Sequence, residues 1–179
     1  MPKPLVVGNG SLLVNLDRNA SIRDMYFPHV GDENHVNGHH CRVGVMVEGK
    51  NLDLVSQIGD DWSCKLGYKK DTLVTDSWYR NDLLDIDLRL NECVHPFENV
   101  FIRKIAITNT DTKDVEMNLL FSHDIALYEN PMGDTGVYDP AVQSIIHYKR
   151  SRYFLINGSP HFDQYDIFPK EERESGSIR

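Results

Sequence analysis

The sequence predicts an all-β fold, a large antiparallel sandwich of two sheets. Three observations carry that expectation. Apolar residues recur at every second position through most of the chain. Turn-forming residues interrupt these runs every ~8–12 residues or so. No segment keeps apolar residues at i, i+3, i+4 and i+7 behind a capping residue, so no helix longer than a turn or two is expected.

The strands follow in order. Ser11–Leu16 and Ile22–Phe27 flank Asp17–Ser21, where Asp and Asn tolerate the left-handed backbone of a tight turn, and read as a hairpin. Cys41–Glu48 and Leu52–Val55 flank Gly49-Lys50-Asn51, and Gly49 supplies the positive φ of a second hairpin. Thr72–Tyr79 meets Leu84–Leu90 across Asn81-Asp82; Leu84, Ile86, Leu88 and Leu90 form a core face, with Asp85, Asp87 and Arg89 on the wet one. Asn99–Asn109 and Val115–Tyr128 are longer strands joined by the polar run Thr110–Asp114, and they imply a large sheet. In the second, Val115, Met117, Leu119, Phe121, His123, Ile125 and Leu127 share a face. After the irregular loop Asn130–Gly136, Val142–Tyr148 and Tyr153–Asn157 pair across Arg150-Ser151. Residues 1–168 are one sandwich domain, and a charged polar tail occupies 169–179.

At 179 residues the chain is about one domain, large enough to bury roughly 70% of its unfolded surface without staples. Three cysteines, Cys41, Cys64 and Cys93, are an odd number without paired spacing, which fits reduced thiols and a cytoplasmic location. The N-terminal residues carry neither a signal peptide nor a membrane span. A net charge of −8 opposes phosphate backbones, so nucleic acid is not an expected partner. Membrane is not one either.

One stretch breaks the alternation. Between Tyr26 and His40 aromatic, imidazole, carboxylate and amide groups crowd together, a polar loop held by strands on both sides. Tyr26, Phe27, Pro28, His29, Asn34 and His35 are its candidate contact residues, a hydrogen-bonding and stacking surface for a sugar or another domain. His29, His35, His39 and His40 with Asp32 and Glu33 have no ligand spacing, so no metal and no cofactor is expected. Asp85 and Asp87, two apart on a strand, lie about 6.5–7 Å apart on one face, near the spacing of an inverting glycosidase. That face is solvated and shared with Arg89, so neither carboxyl is raised above the other. His123 reads as a satisfied core histidine, while Asp124 and Tyr128 fall on the other face as open candidates. No phosphate loop, Gly-x-Ser-x-Gly or Cys-x-x-Cys is present.

The segments Gly8–Asn19, Ile22–His35 and Arg42–Val45 resemble the N-terminal domain of glycoside hydrolase family fifteen, which includes prokaryotic glucoamylases, glucodextranases and some trehalases. Asn99–Lys104, Phe121–Asp124, Gly133–Thr135, Tyr138–Pro140 and Ile146–Leu155 extend the resemblance, and Tyr26-Phe27-Pro28-His29-Val30-Gly31 is its most specific element. Ala20 departs from it, standing where the glycine of an Asn-Gly turn is expected and leaving Asn19 to take more of the reversal. The resemblance implies a supersandwich like that of galactose mutarotases, incomplete here at its C-terminus. It also implies an (α/α)6 barrel, absent from this chain, that carries the catalytic glutamates and inverts α-glucosidic bonds. The expected function is therefore non-catalytic: to pack on and support that barrel, from the same or a neighbouring gene product, in an enzyme acting on an α-glucan or α-glucoside. No catalytic residue is expected here, and the Tyr26–His40 loop would be domain interface or sugar rim. A stand-alone sugar-binding or mutarotase-like domain is the alternative, and a metal-dependent sandwich enzyme ranks third. Missing strands would leave an open sheet edge, so self-association is expected.

Overall fold

A computed structural model describes residues 5–38, 41–47, 56–59, 61–130 and 132–167. Within them the chain is all-β and antiparallel, with four sheets and none closed into a barrel. No described helix is long and apolar enough to cross a membrane.

The chain begins with a meander of β1 (Leu5–Gly8), β2 (Leu13–Leu16) and β3 (Ile22–Tyr26). The expected β2–β3 hairpin forms, with a register shift between Asn15 and Leu16. Its turn is organised by Asp17, whose Oδ1 accepts from the N–H groups of Asn19 at 2.8 Å and Ser21 at 3.0 Å. The expectation for Asn19 is corrected here: Ala20, not Asn19, takes the left-handed conformation, at φ +56°. Ala20 is buried, and Arg103 donates to its carbonyl at 2.8 Å. Those contacts offset a conformation that costs an L-residue about 1–2 kcal/mol.

Two sheets then face each other. One is ordered β10-β4-β5, from β4 (Arg42–Val47), β5 (Ser56–Gln57) and β10 (Met117–Ser122). The other is β6-β7-β8-β9, from β6 (Ser63–Lys65), β7 (Ser77–Asn81), β8 (Ile86–Val94) and β9 (Phe101–Asn109). Val43, Val45 and Val47 of the first pack with Tyr79, Ile86, Leu88 and Leu90 of the second in one buried cluster. The leucine row on β8 is the core face the alternation predicts.

Several boundaries differ from the sequence expectation. The β7–β8 turn is wider, because Asn81 Oδ1 accepts from Leu83 N–H at 2.9 Å and Leu84 N–H at 3.0 Å. Asp85 therefore sits in the turn at φ +55°, off the strand. The Leu52–Val55 strand lies outside the described residues; on that side β4 pairs with β5. β9 and β10 do not form a hairpin. β9 pairs with β8 and β10 with β4, so Thr110–Asp114 lies on a crossing between layers. β10 also stops at Ser122, where Tyr128 was expected. β9 and β10 are edge strands, with Ile102, Ile107 and Phe121 exposed.

The last sheet is a meander of β11 (Thr135–Asp139), β12 (Ser144–Lys149) and β13 (Arg152–Ile156). The β12–β13 hairpin turns at Arg150-Ser151 as expected, with Lys149 opposite Arg152 and Arg150 at φ +51°. β11 was not anticipated, because only Val137 and Tyr138 stand out in a run of small polar residues. Phe154 and Ile156 pack on a second buried cluster built from β1–β3 with Val36, Cys41, Val94, Ile125 and Leu127. Leu66 touches both clusters. The tail from 169 to 179 lies outside the described residues.

Candidate functional site

The polar loop after β3 folds back on its own strand. Tyr26 bridges Asn34, Phe27 N–H donates to Glu33 O at 3.3 Å, and His35 N–H donates to Met25 O at 2.8 Å. Asn34 is the peg of this arrangement. Its Oδ1 accepts from the N–H groups of Met25, Val36 and Asn37 at 3.1, 3.2 and 3.2 Å, and its Nδ2 donates to Asp24 at 3.0 Å. A short amide side chain can satisfy that many backbone groups only from inside the turn, which is why Asn34 is buried.

His35 is 0% exposed. Its Nε2 lies 2.8 Å from Phe27 O, and its Nδ1 receives the Tyr128 N–H at 3.4 Å. A carbonyl on one nitrogen and an N–H on the other select the neutral ring protonated at Nε2. Burial agrees, pushing its pKa below the ordinary histidine value. The edge of Phe154 completes the enclosure at 5.2 Å between centroids.

Opposite stands the 3₁₀ turn Leu127–Glu129 and the β12–β13 hairpin. Arg152 forks onto Glu33, Nε to Oε2 at 3.0 Å and an Nη to Oε1 at 2.9 Å. That bidentate bond holds the Glu33 carboxyl below its usual range. The same guanidinium lies 5.2 Å from the Tyr128 ring centroid and 6.0 Å from that of Phe27. Tyr128 and Glu129 both adopt φ +57°, a left-handed pair without glycine. The structure holds them there: Asn34 N–H donates to Glu129 Oε1 at 2.9 Å and Tyr128 Oη bonds Ser151 Oγ at 2.9 Å. Behind them Asp134 accepts from Leu127 N–H at 3.1 Å, with Lys149 Nζ 3.5 Å and His147 Nε2 3.6 Å from its carboxylate. Lys149 also donates to the carbonyls of Leu127 and Asn130.

The six candidate residues thus divide. Asn34 and His35 are interior groups whose polar atoms serve the chain itself. Tyr26, Phe27 and Pro28 are half-buried, and His29 is exposed at the tip with Val30, Gly31 and Asp32. His39 and His40 lie outside the described residues. Among the described residues no group of three His, Cys, Asp or Glu is arranged to hold a metal ion.

The other sequence candidates land elsewhere. Asp85 and Asp87 do not share a strand face, which corrects that geometry; Asp87 is held by Arg80 at 2.9 Å. His123 lies just beyond β10, stacks on Phe121, and is pushed down to about 4 by burial, with Arg103 and His147 adding positive charge nearby. Cys41 is buried and its thiol is pushed up to about 11, which makes it inert.

Glu92 was missed. It is 1% exposed in the core face of β8, bonded to Arg103 Nε at 2.6 Å and to Thr75 Oγ1 at 3.3 Å. The signal was available, since Glu92 continues the row Ile86, Leu88, Leu90 where an apolar residue belongs. Two hollows among the described residues do not join it to a second carboxylate: one has a mostly apolar lining that includes Gly8, Leu73, Val74, Cys93 and Val94, and the other lies beside Trp78, Arg80 and Asp87.

The chain matches no protein-family model, no curated protein and no solved structure. The arrangement joins three parts of the chain, the loop, the 3₁₀ turn and the last hairpin, and presents the loop's tip from a fixed base.

Proposed function

We propose that this chain is the non-catalytic N-terminal sandwich of an α-glucoside hydrolase of the glucoamylase or trehalase kind, and that it supports an (α/α)6 catalytic barrel. The observation that carries this reading is the use of the loop's polar atoms. Both ring nitrogens of His35, both carboxylate oxygens of Glu33 and both ends of the Asn34 amide are engaged within the chain. Groups so engaged are not poised to transfer protons to a substrate. What remains outward is the tip, His29 to Asp32, a small exposed contact of the sort an adjoining domain uses. The supersandwich relationship and a cytoplasmic location belong to the same proposal, the latter resting on three unpaired thiols.

Incubating the purified chain with maltotriose, isomaltose and trehalose tests it. No hydrolysis is expected, and turnover by a homogeneous sample overturns the reading. A second reading, a mutarotase-like domain, draws on Asp134 beside His147 with His123 close by. Acceleration of glucose or galactose mutarotation, followed by polarimetry, would favour it over the first.

Self-association is part of the proposal. Among the described residues β9 and β10 end their sheets with Ile102, Ile107 and Phe121 exposed, and β10 carries no charged residue or proline to discourage pairing. Light scattering is expected to find dimers or larger species; a monodisperse monomer would remove this part.

A further inference from the structure

The end of β13 builds a turn around one carboxamide. Asn157, exposed, follows the last strand residue Ile156, and the chain continues Gly158-Ser159-Pro160-His161. Gly158 N–H donates to Asn157 Oδ1 at 2.7 Å, and His161 Nδ1 stands 3.3 Å from the same oxygen. An amide nitrogen that close to Oδ1 lies beside Cγ, the carbon bearing that oxygen, and glycine has no Cβ to screen it. The turn is closely packed: a Cβ on Gly158 would stand 3.0 Å from Pro160 O and 3.5 Å from the Phe162 ring. The space around Gly158 is therefore limited.

We propose that Asn157 is a self-modification site, where the Gly158 nitrogen attacks Asn157 Cγ while His161 stabilises the oxygen. As the new N–Cγ bond forms, negative charge develops on Oδ1, where the His161 N–H donates. The Cγ–Nδ2 bond then breaks. Ammonia leaves, taking up the proton released from the Gly158 nitrogen, and a five-membered imide remains. Water opens that ring at one of its two carbonyls, giving aspartate or isoaspartate. The net change is one water consumed and one ammonia released.

The sequence has three Asn–Gly pairs, Asn9-Gly10, Asn37-Gly38 and Asn157-Gly158. Asn9 provides the contrast. Its Oδ1 accepts from Ser11 N–H at 3.0 Å and Leu12 N–H at 2.9 Å, and its Nδ2 donates to His95 O and Glu98 O, both at 3.1 Å. Those bonds occupy both ends of the carboxamide, and attack on it by the Gly10 nitrogen requires them to break first.

Peptide mapping by mass spectrometry, after prolonged incubation of the intact chain at neutral pH, tests the proposal. Aspartate and isoaspartate are expected to accumulate at Asn157 while Asn9 stays an amide. His161→Ala is expected to slow conversion at Asn157 several-fold, and urea unfolding to bring the rates at Asn9 and Asn157 together. Equal conversion at Asn9 and Asn157 in the folded chain overturns the proposal. So does an unchanged rate in His161→Ala whose circular dichroism matches the parent.

Discussion

The two facing layers are well buried and the loop junction only in part, and they are held by different chemistry. Between β4 and β8 the contact is valine against leucine and isoleucine, without directional bonds between the side chains. At the junction it is Glu33 on Arg152, His35 between Phe27 and Tyr128, and Asn34 on three backbone amides. Apolar packing stabilises in proportion to area and carries little directional information. Hydrogen bonds in the junction contribute modestly, but each fixes an orientation. The layers supply stability, and the junction supplies a defined shape for the loop.

Glu92 and Arg103 test where that boundary lies, because they place an ion pair inside the apolar layer. Arg103→Ala leaves Glu92 buried without its cation and is expected to cost about 3–5 kcal/mol, read from urea denaturation of the purified chain. Leu88→Ala removes a fully buried side chain from the facing layers and is expected to cost about 3 kcal/mol. Measured at neutral and mildly acidic pH, that loss should be the same, since no charge is involved.

Acidification separates the regions more directly. Burial holds His123 at about 4 and lowers His35 as well. For a histidine depressed by folding, the unfolded chain takes up the proton first. Stability is therefore complete above the ordinary histidine pKa of about 6.5 and falls as pH drops toward 4, by up to roughly 3 kcal/mol for His123. The lowered carboxyl of Glu33 adds its own loss further down, beginning in the ordinary carboxyl range, where the unfolded chain protonates first, and complete once the folded carboxyl protonates too. Denaturation midpoints that stay flat between these limits would show that neither ring is held neutral.

Glu33→Gln is the mildest of these changes. It keeps the shape of the side chain but removes the charge facing a partly exposed Arg152, and about 1 kcal/mol is expected. Its sharper readout is local: limited proteolysis between His29 and Asp32 should quicken. An unchanged cleavage rate would mean the loop does not depend on this pair.

Residues that repeat a simple pattern were readable in advance. Ile86, Leu88 and Leu90 announced the buried face of β8, and Arg150-Ser151 announced the last turn. The pattern misled where tertiary contacts overrode it. Asn81 capped its turn with a side chain and drew Asp85 off the strand. Ala20 accepted a glycine-like conformation because Arg103 and the core hold it. The loop could be found as a break in alternation, but its wiring to Arg152 and Tyr128 could not, since those residues lie about a hundred positions away.

The sequence alone determined that this protein is antiparallel β, that the Ile86, Leu88 and Leu90 face of β8 is buried, and where the turns at Asp17–Ser21 and Arg150-Ser151 fall. These are local properties, set by side-chain alternation and by the backbone freedom of individual residues. Only the tertiary structure decided that β9 and β10 belong to opposite layers, and that His35 and Asn34 point inward. Alternation states that a face must be covered, but not by which distant strand; that choice is made by loop closure and packing over the whole chain.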